Sequence, residues 1–221
     1  MMLKIKSLKK SYSQGLETID IFQDLNFQVQ KAQTVAIMGK SGSGKSTLLS
    51  LISGIIKPNN GDIILDKVSY KDLKESQLND FRASNIGFVF QNFHLVSYLN
   101  ALENVMLPAK VCGISNPKEK AIELLKDVGL EHRLNHLPSQ LSGGEKQRVA
   151  IARALIHNPK IILADEPSGN LDEETGIAVM DKLFELIKKN NTTLILVTHS
   201  KDVAKRCEET YELVLGDLTK C

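Results

Sequence analysis

The chain lacks any apolar run near the ~18 residues that cross a bilayer, so work at a membrane would need spans from another chain. It has only three cysteines, Cys112, Cys207 and Cys221. Their odd number and wide spacing argue against a disulfide framework or a zinc cluster and fit a reducing cytosol. Net charge is small: 28 basic residues stand against 26 acidic ones, and the two signs are interleaved. There is also no stripe of aromatic and basic residues, so a nucleic-acid partner is not expected. The N-terminus is basic but lacks the apolar core of a secretion signal. No repeat or low-complexity linker interrupts the 221 residues, enough for one large domain or two small lobes.

What is present centres on Gly39, Lys40, Ser41, Gly42, Ser43, Gly44, Lys45, Ser46 and Thr47. This stretch fits the phosphate-loop pattern of two spaced glycines followed by Lys and Ser or Thr. An apolar strand (33–38) precedes it and an apolar helix (45–56) follows, which is the context the motif requires. Glycines let backbone N–H groups turn inward around an anion, and the helix N-terminus adds its positive end. In that geometry Lys45 reaches the β- and γ-phosphates of a nucleotide and Ser46 holds Mg²⁺.

Alternating residues at 3–8 and 25–29 predict strands with one exposed face. Asn59-Asn60-Gly61 reads as a turn, with a strand at 62–65 after it. Together these predict a small antiparallel sheet. Apolar runs at 86–90, 161–164 and 194–197 predict parallel strands buried on both faces. Alternating with helices, they predict an α/β core. Residues 92–158 change to helices without strands. Asn116-Pro117 reads as an N-cap and first turn, and Gly129 as the helix end. A helix should run from about 144 to 157. Another should span about 174–189, with Ile177, Met180, Phe184 and Ile187 inward. The domain plan is one unit over 1–221, with an α/β core and β-subdomain from 1–91 and 159–221 and a helical insert at 92–158.

The strand at 161–164 ends in Asp165 and Glu166. Beside a phosphate loop, Asp165 is placed to hold Mg²⁺ directly or through water. Glu166 is placed to orient or deprotonate a water in line with the γ-phosphate. Leu141 to Glu145 precedes a helix. Ser142, Gly143 and Gly144 form a second anion cradle, a helix cap with Glu145 as its capping-box partner, or both at once. His132 and His136 are four apart but no third ligand accompanies them, so they are not read as a metal site.

The run from Leu141 to Leu155 resembles the signature of ATP-binding-cassette (ABC) ATPases, and the likeness covers essentially the whole chain in the family's motif order. It implies a P-loop NTPase (RecA-like) fold with an antiparallel β-subdomain and a helical insert, and an ATPase using ATP and Mg²⁺. By the same resemblance Tyr12 stacks on adenine. Gln91 is the Q-loop glutamine that senses Mg²⁺ and the attacking water. Residues 168–172, ending in Asp172, form the D-loop, and His199 is the switch histidine at the γ-phosphate. Glu145 departs from the commoner Gln, a variant the family tolerates.

The resemblance further implies a head-to-tail homodimer. Each ATP would lie between Lys45 of one copy and Ser142–Gly144 of the other, so hydrolysis opens the dimer. Residues 92–107, with Phe93, Leu95, Val96, Tyr98 and Leu99, either receive a helix of a membrane permease or form the core of the helical insert. Residues 87–91, 99–105, 130–139 and 164–172 are similar to the branch of lipoprotein-releasing, macrolide-export and cell-division ATPases. That implies a peripheral protein at the cytoplasmic face of the inner membrane, driving export or extrusion. The alternatives are a regulatory ATPase that signals through a membrane partner to envelope or division machinery, and a non-transport ABC ATPase of DNA repair or translation.

Overall fold

The opening strands run further than the alternation at 3–8 and 25–29 suggests. In the computed structural model, which describes residues 1–15 and 17–221, β1 (Leu3–Gln14) and β2 (Glu17–Val29) form a long antiparallel hairpin. There follow β3 (Thr34–Met38), α1 (Lys45–Ile52), β4 (Asn60–Leu65), β5 (Val68–Ser69), α2 (Glu75–Asn85) and β6 (Ile86–Phe90). Next come α3 (Ala101–Val111), α4 (Pro117–Asp127), α5 (Gly143–Leu155), β7 (Ile161–Asp165) and α6 (Glu173–Lys189). The chain closes with β8 (Thr193–Val197), α7 (Lys201–Ala204), β9 (Glu209–Val214) and β10 (Asp217–Lys220). Residues 1–82 and 193–221 form one compact unit and 83–192 another.

In the first unit, β1 pairs antiparallel with β2 and β4, and β4 with β5. This is the small antiparallel sheet expected from sequence. Beside it β3 pairs parallel with β8 and β9, and β10 turns back on β9. Val35, Ala36, Ile37 and all five residues of β8 are buried, as the continuous apolar runs require.

α1 buries Leu48, Leu49, Leu51 and Ile52 completely, each worth about 1.5–3 kcal/mol. It stops at Ile52 rather than Ile56. Gly54 N–H donates to Leu51 O and Ile55 N–H to Ser50 O, which closes the helix with a reversed turn. Ile55 is then 55% exposed. Asn60-Gly61 is also not a turn; it lies within β4. β1 bulges between Lys6 and Lys9, and a Cβ at Gly61 would collide with the backbone of Ser7 and Leu8. The glycine is there to let two strands approach.

In the second unit β6 pairs parallel with β7, and α3, α4 and α5 pack on one another. Residues 92–158 hold these helices and no strand among the described residues. α5 lies so close to β6 that a Cβ on Gly87 would meet the Ala154 carbonyl. Asn116 makes no side-chain cap. It sits at φ 49°, ψ 56°, since the following proline disfavours the helical region. α6 buries Gly176, Val179, Met180, Leu183, Leu186 and Ile187, whereas Ile177 is 55% exposed. The true buried stripe is rotated from the one that Ile177 would define.

Candidate ATP site

β3 ends at Met38 and α1 begins at Lys45, so the glycine-rich stretch is the strand-to-helix turn that its pattern requires. Gly42 and Gly44 have φ 79° and 100°, and a Cβ on Gly44 would press on Ile21 and Phe22. α1 has no side-chain cap and no acidic residue in its first turn, which leaves its N-terminal amides open to an anion. The Ser43 hydroxyl is buried without a partner among the described residues. An orphaned hydroxyl beside uncapped amides fits a phosphate. Lys45 Nζ meanwhile donates to the carbonyls of Gly39 and Lys40, both at 2.8 Å.

His199 follows β8 and lines a 580 Å³ cleft with Met38, Gly39, Lys40, Lys201 and Glu212. The first unit thus brings the sequence-predicted histidine to the phosphate loop. Tyr12 lies on β1, 42% exposed and opposite Ile19, itself 44% exposed. The Lys10 ammonium stands 4.8 Å over one face of its ring.

The second unit holds the other motifs. β6 and β7 end together, Phe90 opposite Asp165, so Gln91 and Glu166 emerge at the same sheet edge. Glu166 has φ 46°, a left-handed backbone that non-glycine residues seldom adopt and that clusters at functional sites. Gln91 Nε2 donates to Asn170 Oδ1 at 2.9 Å, and Gly169 closes tightly on the Gln91 amide. Asp172 caps α6 by accepting the Thr175 N–H at 3.0 Å, and this bond holds its carboxyl below its ordinary pKa.

Ser142 caps α5. Its hydroxyl accepts the Glu145 N–H at 3.2 Å, while Glu145 accepts the Ser142 N–H at 2.7 Å. The cap takes up the amides of Ser142 and Glu145 and does not engage those of Gly143 and Gly144, so a cap and an anion cradle are compatible in this geometry. Gly144 has no room for a Cβ against Thr175. Glu145 also takes Arg133 Nε at 3.1 Å. The Ser142 N–H above all, with Arg133 adding to it, pulls its pKa below 4.5. Arg133 in turn contacts His136 Nε2 at 3.0 Å. Among the described residues no group of three or more His, Cys, Asp or Glu side chains gathers in a way that could hold a metal ion.

Four polar residues that matter here were not singled out from sequence: Gln147, Arg153, Asn170 and Asn104. Asn104 is completely buried and bonds Val96, Leu99 and Asn100, fixing the loop that carries Tyr98, 80% exposed. The signal was a polar residue inside an otherwise apolar helical face. Among the described residues no helix is long and apolar enough to cross a membrane.

Residues 22–169 match the family model described as ABC transporter. The chain is 46% identical to the lipoprotein-releasing system ATP-binding protein LolD of Legionella pneumophila (strain Paris), over 99% of this chain and 97% of that protein. It is 46% identical to LolD of Treponema denticola (97% and 96% covered). It is 44% identical to the uncharacterised ABC transporter ATP-binding protein YbbA of Escherichia coli K12 (98% and 96%). Among solved structures it resembles the dimeric ATP-binding cassette MJ0796 in a post-hydrolysis state with ADP and Pi. There the TM-score is 0.91 and the identity 41%, over 100% and 98% of the two chains.

Proposed function

The chain belongs to the ABC transporter family and is an ATP-binding, ATP-hydrolysing subunit, and from that premise we propose that it drives lipoprotein release, or a related export step, from the inner membrane. What carries this reading is the likeness to lipoprotein-releasing ATP-binding proteins along nearly the whole chain. No observation favours a signalling role, or a role in DNA repair or translation, over it.

ATP is held by Gly39–Thr47, with Lys45 on the β- and γ-phosphates and Tyr12 stacked on the base. Asp165, Ser46 and Gln91 supply hard oxygen donors suited to Mg²⁺. Ser46 is the second residue of α1 and is exposed, which fits a ligand role. Mg²⁺, when bound, neutralises charge on the β- and γ-phosphoryl oxygens. Glu166 orients or deprotonates the attacking water, and His199 contacts the γ-phosphate. Ser142, Gly143, Gly144 and Asp172 act on the ATP of a second copy, in a two-fold dimer with two equivalent sites. Both solved structures of the MJ0796 cassette are dimeric. The dimer works at the cytoplasmic face beneath a membrane permease, which contacts residues 92–107.

Purification from native membranes in detergent tests the reading. A permease partner, and ATPase activity that its lipoprotein substrate stimulates, are expected. Recovery with division or envelope-hydrolase proteins alone would overturn it.

A further inference from the structure

The backbone just past β6 is held by side chains as well as by its own turn, in which Phe93 N–H donates to Phe90 O at 3.4 Å and His94 N–H to Asn92 O at 2.5 Å. The Phe90 carbonyl accepts from Gln147 Nε2 at 3.2 Å and the Gln91 carbonyl from Asn170 Nδ2 at 3.2 Å. The Phe93 and His94 carbonyls accept from the two terminal nitrogens of Arg153, at 2.6 and 2.5 Å. Asn170 Nδ2 also reaches Asn92 Oδ1 at 2.8 Å. Phe93 and His94 stand at φ 58° and 47°, two consecutive non-glycine residues in the left-handed region. Left to itself neither residue favours that conformation. The ring of Phe90, the last residue of β6, meets that of His94 edge to face at 4.7 Å.

Both terminal nitrogens of Arg153 bond to main-chain carbonyls. Burial disfavours its charge. A desolvated guanidinium whose hydrogen bonds go to two backbone carbonyls is there to shape that backbone, since a fork of coplanar N–H groups fixes both acceptors at once. Gln147 and Arg153 lie on α5, the helix that opens with Ser142, Gly143 and Gly144.

We propose that Arg153 is a positioning residue for ATP hydrolysis, its guanidinium clamping the Phe93–His94 backbone so that Gln91 is presented in a working orientation. The clamp also ties Gln91 to the helix that carries the Ser142 cradle, so the two shift as one body. This rests on the reading of Gln91 as a residue of the hydrolytic site.

The test uses the full chain with Arg153→Lys, Arg153→Met, Gln91→Ala and the double variant Gln91→Ala/Arg153→Met. Steady-state ATPase kinetics are read beside hydrogen exchange at residues 91–95. Arg153→Met should lower kcat on the order of tenfold to a hundredfold, with KM for ATP within about threefold. Arg153→Lys, which can offer one ammonium to one or both carbonyls but no planar fork, should fall between. The double variant should be no slower than the slower single one. Exchange at 91–95 should quicken while β6 stays protected. A folded Arg153→Met with unchanged kcat overturns the proposal, as do losses that multiply in the double variant. Should Arg153→Met fail to fold, Arg153→Lys decides through its kcat and the exchange at 91–95; normal values for both refute the clamp. If Gln91→Ala alone is fully active, the reading of Gln91 falls, and the clamp falls with it; if Gln91→Ala is impaired and Arg153→Met is not, only the clamp falls.

Discussion

Phe90 and Asp165 are direct neighbours across the parallel pair of β6 and β7, and both strands end there. The next residue on each, Gln91 and Glu166, therefore leaves the sheet at the same level, Glu166 with its backbone at φ 46°. Carboxylate and amide come from two rigid strands rather than from one flexible loop, a placement suited to ordering a water.

Glu166→Gln keeps the size and much of the hydrogen bonding of the side chain and removes the base. Hydrolysis should fall at least about a hundredfold while ATP binding persists. ATP should then drive the variant into a lasting dimer, read by light scattering with and without nucleotide. A variant that hydrolyses ATP normally would sink the assignment of Glu166.

Lys45→Ala removes an ammonium that now rests on the Gly39 and Lys40 carbonyls. Those carbonyls are near solvent, so the melting temperature without nucleotide should move little. The rise in melting temperature that ATP produces should largely vanish, because stabilisation by a ligand follows its affinity. Calorimetric titration gives the affinity directly.

Ser142→Arg places a long cation where Gly143 and Gly144 N–H should meet a partner's phosphate, and it removes the cap of α5. Loss of the cap costs about 1 kcal/mol in a urea melt. Affinity for ATP should be retained and ATP-driven dimerisation lost. A dimer of the Glu166→Gln/Ser142→Arg double variant in ATP contradicts a shared site.

Glu145 is held below its ordinary pKa of 4.5, first by the Ser142 N–H and also by Arg133. A carboxylate with a depressed folded-state pKa adds stability that is present above the unfolded value and lost as pH falls through the folded one. The advantage of the parent chain over Glu145→Gln in urea melts should therefore be full near pH 6 and shrink as pH falls below about 4.3. A difference that stays constant down to pH 3 argues that the Arg133 and Ser142 contacts do not favour the charged form.

Gly61→Ala tests the strand crossing. With φ 88° and the backbone of Ser7 and Leu8 in the way, the substitution should destabilise by about 2 kcal/mol or more. Chemical denaturation reads it, and a variant as stable as the parent would remove the close-approach account.

The motifs were legible because each is local. A phosphate loop needs only a strand before it and a helix after it, and Ser142 with Glu145 completes its cap within one turn. The strand ends at 90 and 165 could be read from apolar runs. What the sequence hid depends on distant backbone. Asn60-Gly61 has the composition of a turn, and only the bulge of β1 opposite it reveals a strand. Ile177 has helical spacing with Met180 and Ile187, but the face it starts is turned to solvent. Arg153 reads as one more charge on an amphipathic helix. Its partners are carbonyls some sixty residues away, and carbonyls leave no trace in residue identity.

The bonds from Lys45 to its own loop make the ammonium a brace. It draws the Gly39 and Lys40 carbonyls toward one point, so a side chain of α1 braces the turn that leads into that helix. The incoming nucleotide then meets a turn already folded, and one side chain exchanges two weak acceptors for stronger ones. Little ordering of the backbone is left to oppose capture. Loading should be limited by encounter, and the slow, informative steps should come afterwards, in the meeting of two loaded chains.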